Sequence, residues 1–318
     1  MDSLDDVATS KDFGVSVIIP CYNYADYIGE AIESVLNQDY KNYELIVIDD
    51  GSTDNTPEVL KLYSDRIRYI RQENQGLSAT RNNGIKLSQN KFITFLDADD
   101  RWEVNFLSEI MQEFQRQSQD VALVACLDSK IDKNGVSLPD RAHHSKLGEL
   151  STKDLILKNR FFPGAAIIRK QVFKELGGFD QNLKSSEDRD MWIRISCHYK
   201  VWLIGDRLIQ IRKHGENMSS NAKRMEHNKQ EVINKCYIDN VIDRRDIAFW
   251  LQVKSILNYQ VSWIFYNQGE RLSAIRSLLK SLMLWPLMIN NKEIDVPVLF
   301  RLRALIRFFF VSDRKLNE

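Results

Sequence analysis

The sequence predicts an α/β fold: a mainly parallel mixed sheet with helices on both faces, followed by a helical extension. Three observations carry this expectation. Between Val15 and Cys126, short apolar runs of strand length alternate with stretches of helical period. Most of the runs are mainly apolar rather than alternating, as strands buried on both faces are. From about Asn221 onward the pattern is helical to the end.

Val15-Ser-Val-Ile-Ile19 is the first strand and stops at Pro20. Ile28, Ala31, Ile32, Val35 and Leu36 then share one helical face. Glu44-Leu-Ile-Val-Ile48 is the second strand, closed by Asp49-Asp50-Gly51-Ser52. Thr56-Pro57 reads as an N-cap with proline at the first helical position. Ile67–Arg71 is a short strand, Leu77–Leu87 a helix, and Lys91–Leu96 a strand running into Asp97-Ala98-Asp99-Asp100. A helix from Glu103 to about Gln117 and a strand at Val121–Cys126 follow. Residues 130–148 turn polar and loop-like. Gly164–Ile168 reads as a strand, Gln171–Leu176 as a helix stopped by Gly177-Gly178, and Glu187–His198 as a helix. Asn267-Gln268-Gly269 separates two later helices, and Pro286 ends the second. The expected partition is a polar tail at 1–14, an α/β domain at 15–220 and a helical region at 221–318. Open parallel sheets bind ligands beyond the carboxyl ends of their strands. Asp49/Asp50 and Asp97/Asp99/Asp100 are therefore expected to face one crevice.

The 318 residues carry 44 Lys+Arg and 44 Asp+Glu. Zero net charge excludes a wholesale polyanion binder, so nucleic acid is not an expected partner. The balance is uneven along the chain: residues 241–318 hold 12 basic against 7 acidic residues. Cys21, Cys126, Cys197 and Cys236 have no metal-site spacing, and three sit among apolar or periodic residues. Buried thiols favour a reducing, cytoplasmic setting. Residues 1–12 are polar and acidic, unlike a signal peptide. No apolar run approaches the roughly 18 residues of a spanning helix.

Three clusters carry chemistry. Asp97 and Asp99, two residues apart, point the same way in extended chain. Hard cations such as magnesium or manganese want such oxygens, with substrate phosphate completing the shell. Read alone, the triplet is equally a capped strand–helix turn. Asp49-Asp50-Gly51-Ser52-Thr53-Asp54 is a tight turn, or a reader of base N–H and sugar hydroxyls. Glu187-Asp188 is either an acidic helix start or the site of a general base for an acceptor hydroxyl.

Together, Val17-Ile-Ile-Pro-Cys-Tyr-Asn23, Asp49-Asp-Gly-Ser-Thr-Asp54, Asn74–Gly84, Asp97-Ala-Asp-Asp100 and Ser186-Glu-Asp-Arg-Asp190 occur in that order. This series resembles the inverting family 2 glycosyltransferases of GT-A fold, over about Val15 to Ser220. The resemblance implies a nucleoside pocket of Pro20, Tyr22 and Asn23, with the Tyr22 ring against the base. It implies that Asp50 reads the base edge with Asp49 as its support, and that Arg81 reaches the base or diphosphate. It places Asp97 at the ribose, Asp99 on a divalent metal (Mn2+ or Mg2+) and Asp188 as catalytic base. His214, in Arg212-Lys-His-Gly-Glu-Asn-Met-Ser219, is either structural or near the diphosphate and metal. Glu187 and Arg212 are candidate donor or acceptor contacts, and Trp192 is either an acceptor-site or a core aromatic.

The expected activity is metal-dependent, inverting transfer from a nucleotide sugar, UDP-linked by expectation, to a hydroxyl of a glycan or lipid-linked acceptor in cell-surface polysaccharide assembly. A sugar nucleotidyltransferase has a similar sheet but wants a Gly-rich phosphate loop after the first strand, which Pro20-Cys-Tyr-Asn-Tyr24 is not. A nucleotide-sugar-binding scaffold is the non-enzyme alternative, against which Asp99 and Asp188 stand. The QxxRW signature of processive synthases is absent, so single addition is expected. Arg301, Arg303 and Arg307 among Leu302, Leu305, Ile306 and Phe308–Phe310 make a basic amphipathic helix. Such a helix either caps the domain or lies on an anionic membrane surface, at the inner face of the cell membrane.

Overall fold

The computed structural model describes residues 13–139, 146–214, 221–287, 289–291, 294–296 and 298–310. Residues 1–12 of the expected tail at 1–14, part of the polar loop (140–145) and residues 215–220 of the His214 segment lie outside these.

The chain opens with strand β1 (Val15–Cys21), buried at every position. Helix α1 (Ile28–Leu36) buries Ile28, Ala31, Ile32 and Val35, a single helical stripe. β2 (Tyr43–Asp49), α2 (Thr56–Lys61), β3 (Arg68–Arg71), α3 (Leu77–Leu87) and β4 (Phe92–Phe95) complete the first half. β5 (Arg101–Trp102), α4 (Phe106–Arg116), β6 (Val121–Ile131), β7 (Gly148–Leu150), α5 (Thr152–Leu157), β8 (Ala166–Arg169), α6 (Lys170–Leu176), α7 (Glu187–Ser196) and β9 (Lys200–Arg212) form the second.

The sheet order is β3-β2-β1-β4-β8-β6-β9-β5, with β7 also on β9. β3, β2, β1 and β4 run parallel. β8 is antiparallel to both β4 and β6, while β6 and β9 are parallel. The class expected from the pattern holds, with the antiparallel share larger than the apolar runs indicated. β9 is the longest strand, and its pairing with β6 shifts register at Ala125/Leu127 and Leu127/Asp128. These bulges absorb Gly205-Asp206, the polar break that hides the strand in the sequence.

Register fixes the crevice. Cys21 pairs with Asp49 and Ile18 with Phe95, so β1, β2 and β4 end side by side. Helix α3 is drawn close to β1 at Gly84: a Cβ there would lie 2.5 Å from Ile18 Cγ2. Only glycine allows this approach, and it seats Arg81, one turn earlier, over Phe95 and Phe179.

Beyond the sheet come α8 (Ala222–Ile238), α9 (Ile247–Asn267) and α10 (Arg271–Leu284). A short hairpin of β10 (Ile289–Asn291) and β11 (Ile294–Val296) then interrupts the expected all-helical run before α11 (Val298–Phe310). Val232, Ile233, Cys236, Phe249, Trp250, Val253 and Ile256 join the core of the sheet domain. The far end of α9 packs with α10 and α11 in a second cluster around Tyr266 and Phe308, whose rings stack at 4.5 Å. Cys21, Cys126 and Cys236 are buried and Cys197 is exposed, all as free thiols. Among the described residues no helix is long and apolar enough to cross a membrane.

Candidate active site

A cavity of about 1130 Å³ opens over the carboxyl ends of β1, β2 and β4. Pro20, Tyr22, Asn23, Asp50, Arg81, Asp97, Asp99, Glu187 and Asp188 all line it. Asp49 does not: its carboxylate accepts from Ser52 N at 2.8 Å and Tyr69 Oη at 3.2 Å, below the cavity floor.

Asp50 accepts from Gln72 Nε2 (2.7 Å), Gln75 N (2.9 Å) and Gly76 N (2.8 Å). The loop before α3 thus locks one carboxylate in place, leaving it acceptor capacity toward the cavity. Asn23 sits at φ 59°, the left-handed region where asparagine is among the few tolerated residues. Its Oδ1 accepts from Thr53 N at 2.8 Å, and its own N–H donates to Ser52 Oγ at 2.9 Å. Asn23 therefore ties the β1 loop to the Asp50 loop. Tyr22 is left 44% exposed at the rim.

Arg81 is fully buried and bridges two carboxylates. Nη2 donates to Asp97 Oδ1 at 2.7 Å and Nη1 to Glu187 Oε1 at 2.6 Å. A charge-assisted bridge of this kind joins the β4 end to the start of α7. Two of its nitrogens are thus engaged by Asp97 and Glu187, and Arg81 lines the cavity, where the resemblance has it reach a base or diphosphate.

His214 Nε2 lies 2.9 Å from Asp99 Oδ2, and its ring stacks on Tyr27 at 5.3 Å. Burial and the neighbouring Asp97 charge raise the Asp99 carboxyl, while His214 opposes. Asp100 accepts the Arg212 N–H at 2.9 Å. Arg212 lies behind the site rather than in it. Its Nε donates to Asp99 O at 2.8 Å and its Nη2 to Glu30 Oε2 at 2.7 Å, over the Tyr27 ring. It braces the Asp97–Asp100 turn from below, so a direct donor or acceptor contact does not fit its position. Trp192 is core: it is buried between Phe161 and Phe179.

Asp188 stands in the first turn of α7, after Ser186 at φ 63°. Its Oδ2 accepts from Asn159 Nδ2 and its Oδ1 from Arg189 N, both at 2.7 Å. Burial raises its pKa; the two hydrogen bonds and Arg81 pull the other way. Burial likewise raises Glu187, against the pull of Arg81.

The opposite wall was not legible in the sequence. Lys158 and Arg160 flank Asn159, and α8 adds Arg224, Met225 and Lys229, with Asn221 at its N-cap. Lys229 Nζ donates to Gln260 Oε1 of α9 at 3.2 Å. Burial pushes its ammonium down to about 8, with Arg189 adding to the fall and Asp188 opposing it. Asn159 precedes its partner by 29 residues and Lys229 follows it by 41, and no local motif marks either. The expected boundary at 220/221 thus runs through the cavity wall.

Among the described residues no three His, Cys, Asp or Glu side chains converge as a closed metal site. A magnesium- or manganese-type ion needs only one or two carboxylates when substrate phosphate fills the shell. Asp99 with His214, beside Asp97 at the cavity, fits that open arrangement.

A family model described as "Glycosyl transferase family 2" matches residues 16–177. The chain belongs to glycosyltransferase family 2. The family match ends before Glu187 and Asp188, which come from the next helix. An uncharacterized glycosyltransferase of Rickettsia typhi is 32% identical over 212 residues, covering 65% of this chain and 66% of that protein. The match thus spans just under two thirds of that relative's length. S. aureus TarS 1-349 in complex with UDP-GlcNAc superposes with a TM-score of 0.57 at 19% identity, over 86% of this chain and 89% of that one. The mannosyltransferase PcManGT from Pyrobaculum calidifontis, in complex with GDP-Man and Mn2+, reaches 0.61 at 18% identity, over 85% and 75%. At such identities the two structures show that this family 2 transferase shares their fold.

Proposed function

We propose that this family 2 glycosyltransferase moves a sugar from a nucleotide sugar to an acceptor hydroxyl by a single, inverting displacement. The observation that carries this reading is one cavity lined both by Asp97 and Asp99, the latter against His214, and by buried Asp188, which has no ion-pair partner among the described residues while its neighbour Glu187 is tied to Arg81. A fold shared with structures holding UDP-GlcNAc and GDP-Man supports a nucleotide-sugar donor.

The residues divide the work. Tyr22, with Asp50 pinned by its three donors, would take the nucleoside, and Asp97, steadied by Arg81, the ribose. Asp99 and His214 would hold a divalent ion. When bound, that ion neutralises the charge growing on the departing diphosphate. Asp188 accepts the acceptor's hydroxyl proton as the new O–C1 bond forms. The C1–O bond to the diphosphate breaks, and its electron pair leaves with the phosphate oxygen. Attack comes from the face opposite the leaving group, so the anomeric centre inverts. Raising the Asp188 pKa by burial makes it a better base than a solvated aspartate. Asn159 and the Arg189 N–H aim both of its oxygens.

Release of nucleoside diphosphate from a panel of UDP, GDP and dTDP sugars, with manganese or with a chelator, tests this reading. Metal-dependent release from one class supports it. Tight binding of a nucleotide sugar without turnover turns the protein into a binding scaffold.

A specific observation favours a membrane setting as well, at the cytoplasmic face, for a glycan or lipid-linked acceptor. α10 and α11 contain no acidic residue. Leu272, Arg276, Leu279 and Met283 form one exposed stripe, with Leu272 and Met283 about 85% exposed. On α11, Leu302, Ile306 (60%) and Phe309 (54%) form another, beside exposed Arg303 and Arg307. Apolar stripes edged by cations suit an anionic lipid surface.

A further inference from the structure

The end of β9 meets the start of α1 beside Asp99. Arg212 closes β9, and His214 follows two residues on. Both side chains come to one ring, that of Tyr27, the N-cap of α1. The His214 ring stacks on it with 5.3 Å between centroids and 27° between planes. The Arg212 guanidinium carbon lies 4.8 Å from the centre of the same ring. Tyr24 adds a third aromatic, edge-on to His214 at 6.3 Å.

The place of the Tyr27 ring is set by main chain. Its N–H donates to Tyr24 O at 3.1 Å, and its carbonyl accepts from Glu30 N at 2.9 Å. Glu30, one turn on, takes the Arg212 Nη2 at 2.7 Å. Two contacts then converge on Asp99: Arg212 Nε donates to its carbonyl at 2.8 Å, and His214 Nε2 meets its carboxylate at 2.9 Å. A hydrogen bond at one nitrogen fixes a point of the imidazole but not its plane. A stacked neighbour fixes the plane. Tyr27 is not among the described residues that line the cavity, so its route to a ligand runs through His214.

We propose that Tyr27 is a positioning residue of the ion site: its ring sets the plane of the His214 imidazole, and through it the direction in which Asp99 presents its carboxylate to a divalent cation. The proposal rests on the glycosyltransfer reading, since it needs an ion at Asp99. The stack uses the ring and not the phenol oxygen. Phenylalanine therefore replaces tyrosine here, and an aliphatic side chain does not.

The test is a titration of manganese into the full chain saturated with UDP, with free ion read by electron paramagnetic resonance. Groups that orient metal ligands are worth about 10–100-fold in affinity, so Tyr27→Leu should raise the manganese dissociation constant about tenfold or more, and Tyr27→Phe by less than about twofold. If Tyr27→Leu does not fold, Tyr27→Met, a flexible filler with no ring plane, takes its place. Tyr27→Leu combined with His214→Ala should bind manganese no more weakly than His214→Ala alone, because the ring acts through that imidazole. Losses that add in the double variant overturn the proposal, since general loosening of the site adds in that way. Wild-type manganese affinity in Tyr27→Leu overturns it as well, as does a Tyr27→Phe chain as weak as Tyr27→Leu. A fall in UDP affinity in Tyr27→Leu measured with chelator overturns it too, by placing the ring at the nucleotide. A wild-type chain that binds no nucleotide, or that binds UDP and takes up no manganese, overturns the ion-dependent transferase reading itself, before any variant is made.

Discussion

Asp188→Asn separates catalysis from folding at one atom. In the folded chain Asp188 Oδ1 accepts the Arg189 N–H and Oδ2 accepts from Asn159 Nδ2, each at 2.7 Å. An asparagine at 188 keeps the first bond through its carbonyl. It keeps the second if the Asn159 amide turns over, because Asn159 Oδ1 is buried without a hydrogen-bond partner. No hydrogen bond is lost, and a buried charge disappears. Burial raises the pKa of Asp188 in the folded state. Its stabilising contribution is therefore complete only below the unfolded pKa of about 3.9 and is lost as pH rises through the folded value. At pH 7 the wild type bears the cost of an ionised, buried carboxylate; the amide does not. The variant should melt at or above the wild-type temperature at pH 7, with the gap closing toward pH 4. Loss of a positioned base costs about 10²–10⁴-fold in rate. The assay pairs thermal melts with turnover measured as nucleoside diphosphate release in the presence of acceptor. Turnover within about tenfold of wild type would refute the assigned role. A melt several degrees below wild type at pH 7 would refute the hydrogen-bond reasoning.

Other expectations follow from the same geometry. Wild-type turnover should fall on the acid side with a midpoint above the ordinary aspartate value, since Asp188 must be ionised and burial raises its pKa; a pH–rate profile reads this. Asp99→Ala should lose metal-dependent turnover. His214→Ala should raise the manganese concentration for half-activity by about 10–100-fold, seen in a metal titration. Gly84→Ala places a Cβ 2.5 Å from Ile18 Cγ2; overpacking of this kind costs about 1–3 kcal/mol and should lower the melting temperature by several degrees. The full chain should sediment with vesicles of equal phosphatidylcholine and phosphatidylglycerol, in a salt-sensitive way, and not with phosphatidylcholine alone. Ile306→Asp with Phe309→Asp should abolish that binding; equal binding to both vesicle types would remove the membrane assignment.

The parallel half of the fold was legible because its central strands are mainly apolar runs. Val15–Ile19 and Glu44–Ile48 can only be buried on both faces, and the carboxylates that follow them mark the crevice. β9 was illegible because Gly205-Asp206 splits its pattern, and only the bulged pairing with β6 makes it one strand. The carboxylates Asp50, Asp99 and Asp188 were readable from motif order, but the partners that set their properties were not. Arg81 answers to Asp97 and to Glu187, the latter 106 residues away, a bridge that no local spacing marks. Arg212 is adjacent to the His214 segment in sequence, yet its guanidinium turns away to Glu30. Lys229 looks like any polar residue of an amphipathic helix; its place in the cavity depends on how α8 docks against the sheet domain. Long-range packing decides these cases, and local spacing does not report it.

In the proposed reaction the C1–O bond to a diphosphate breaks by a single displacement in this cavity. Proton NMR of the chain incubated with its preferred α-linked nucleotide sugar and manganese in water follows that bond directly, with water as the acceptor. Single displacement gives equal amounts of nucleoside diphosphate and free sugar, the sugar appearing first as the β anomer and only then equilibrating. First appearance as the α anomer would contradict the single displacement, and nucleoside monophosphate with sugar phosphate would contradict glycosyl transfer altogether.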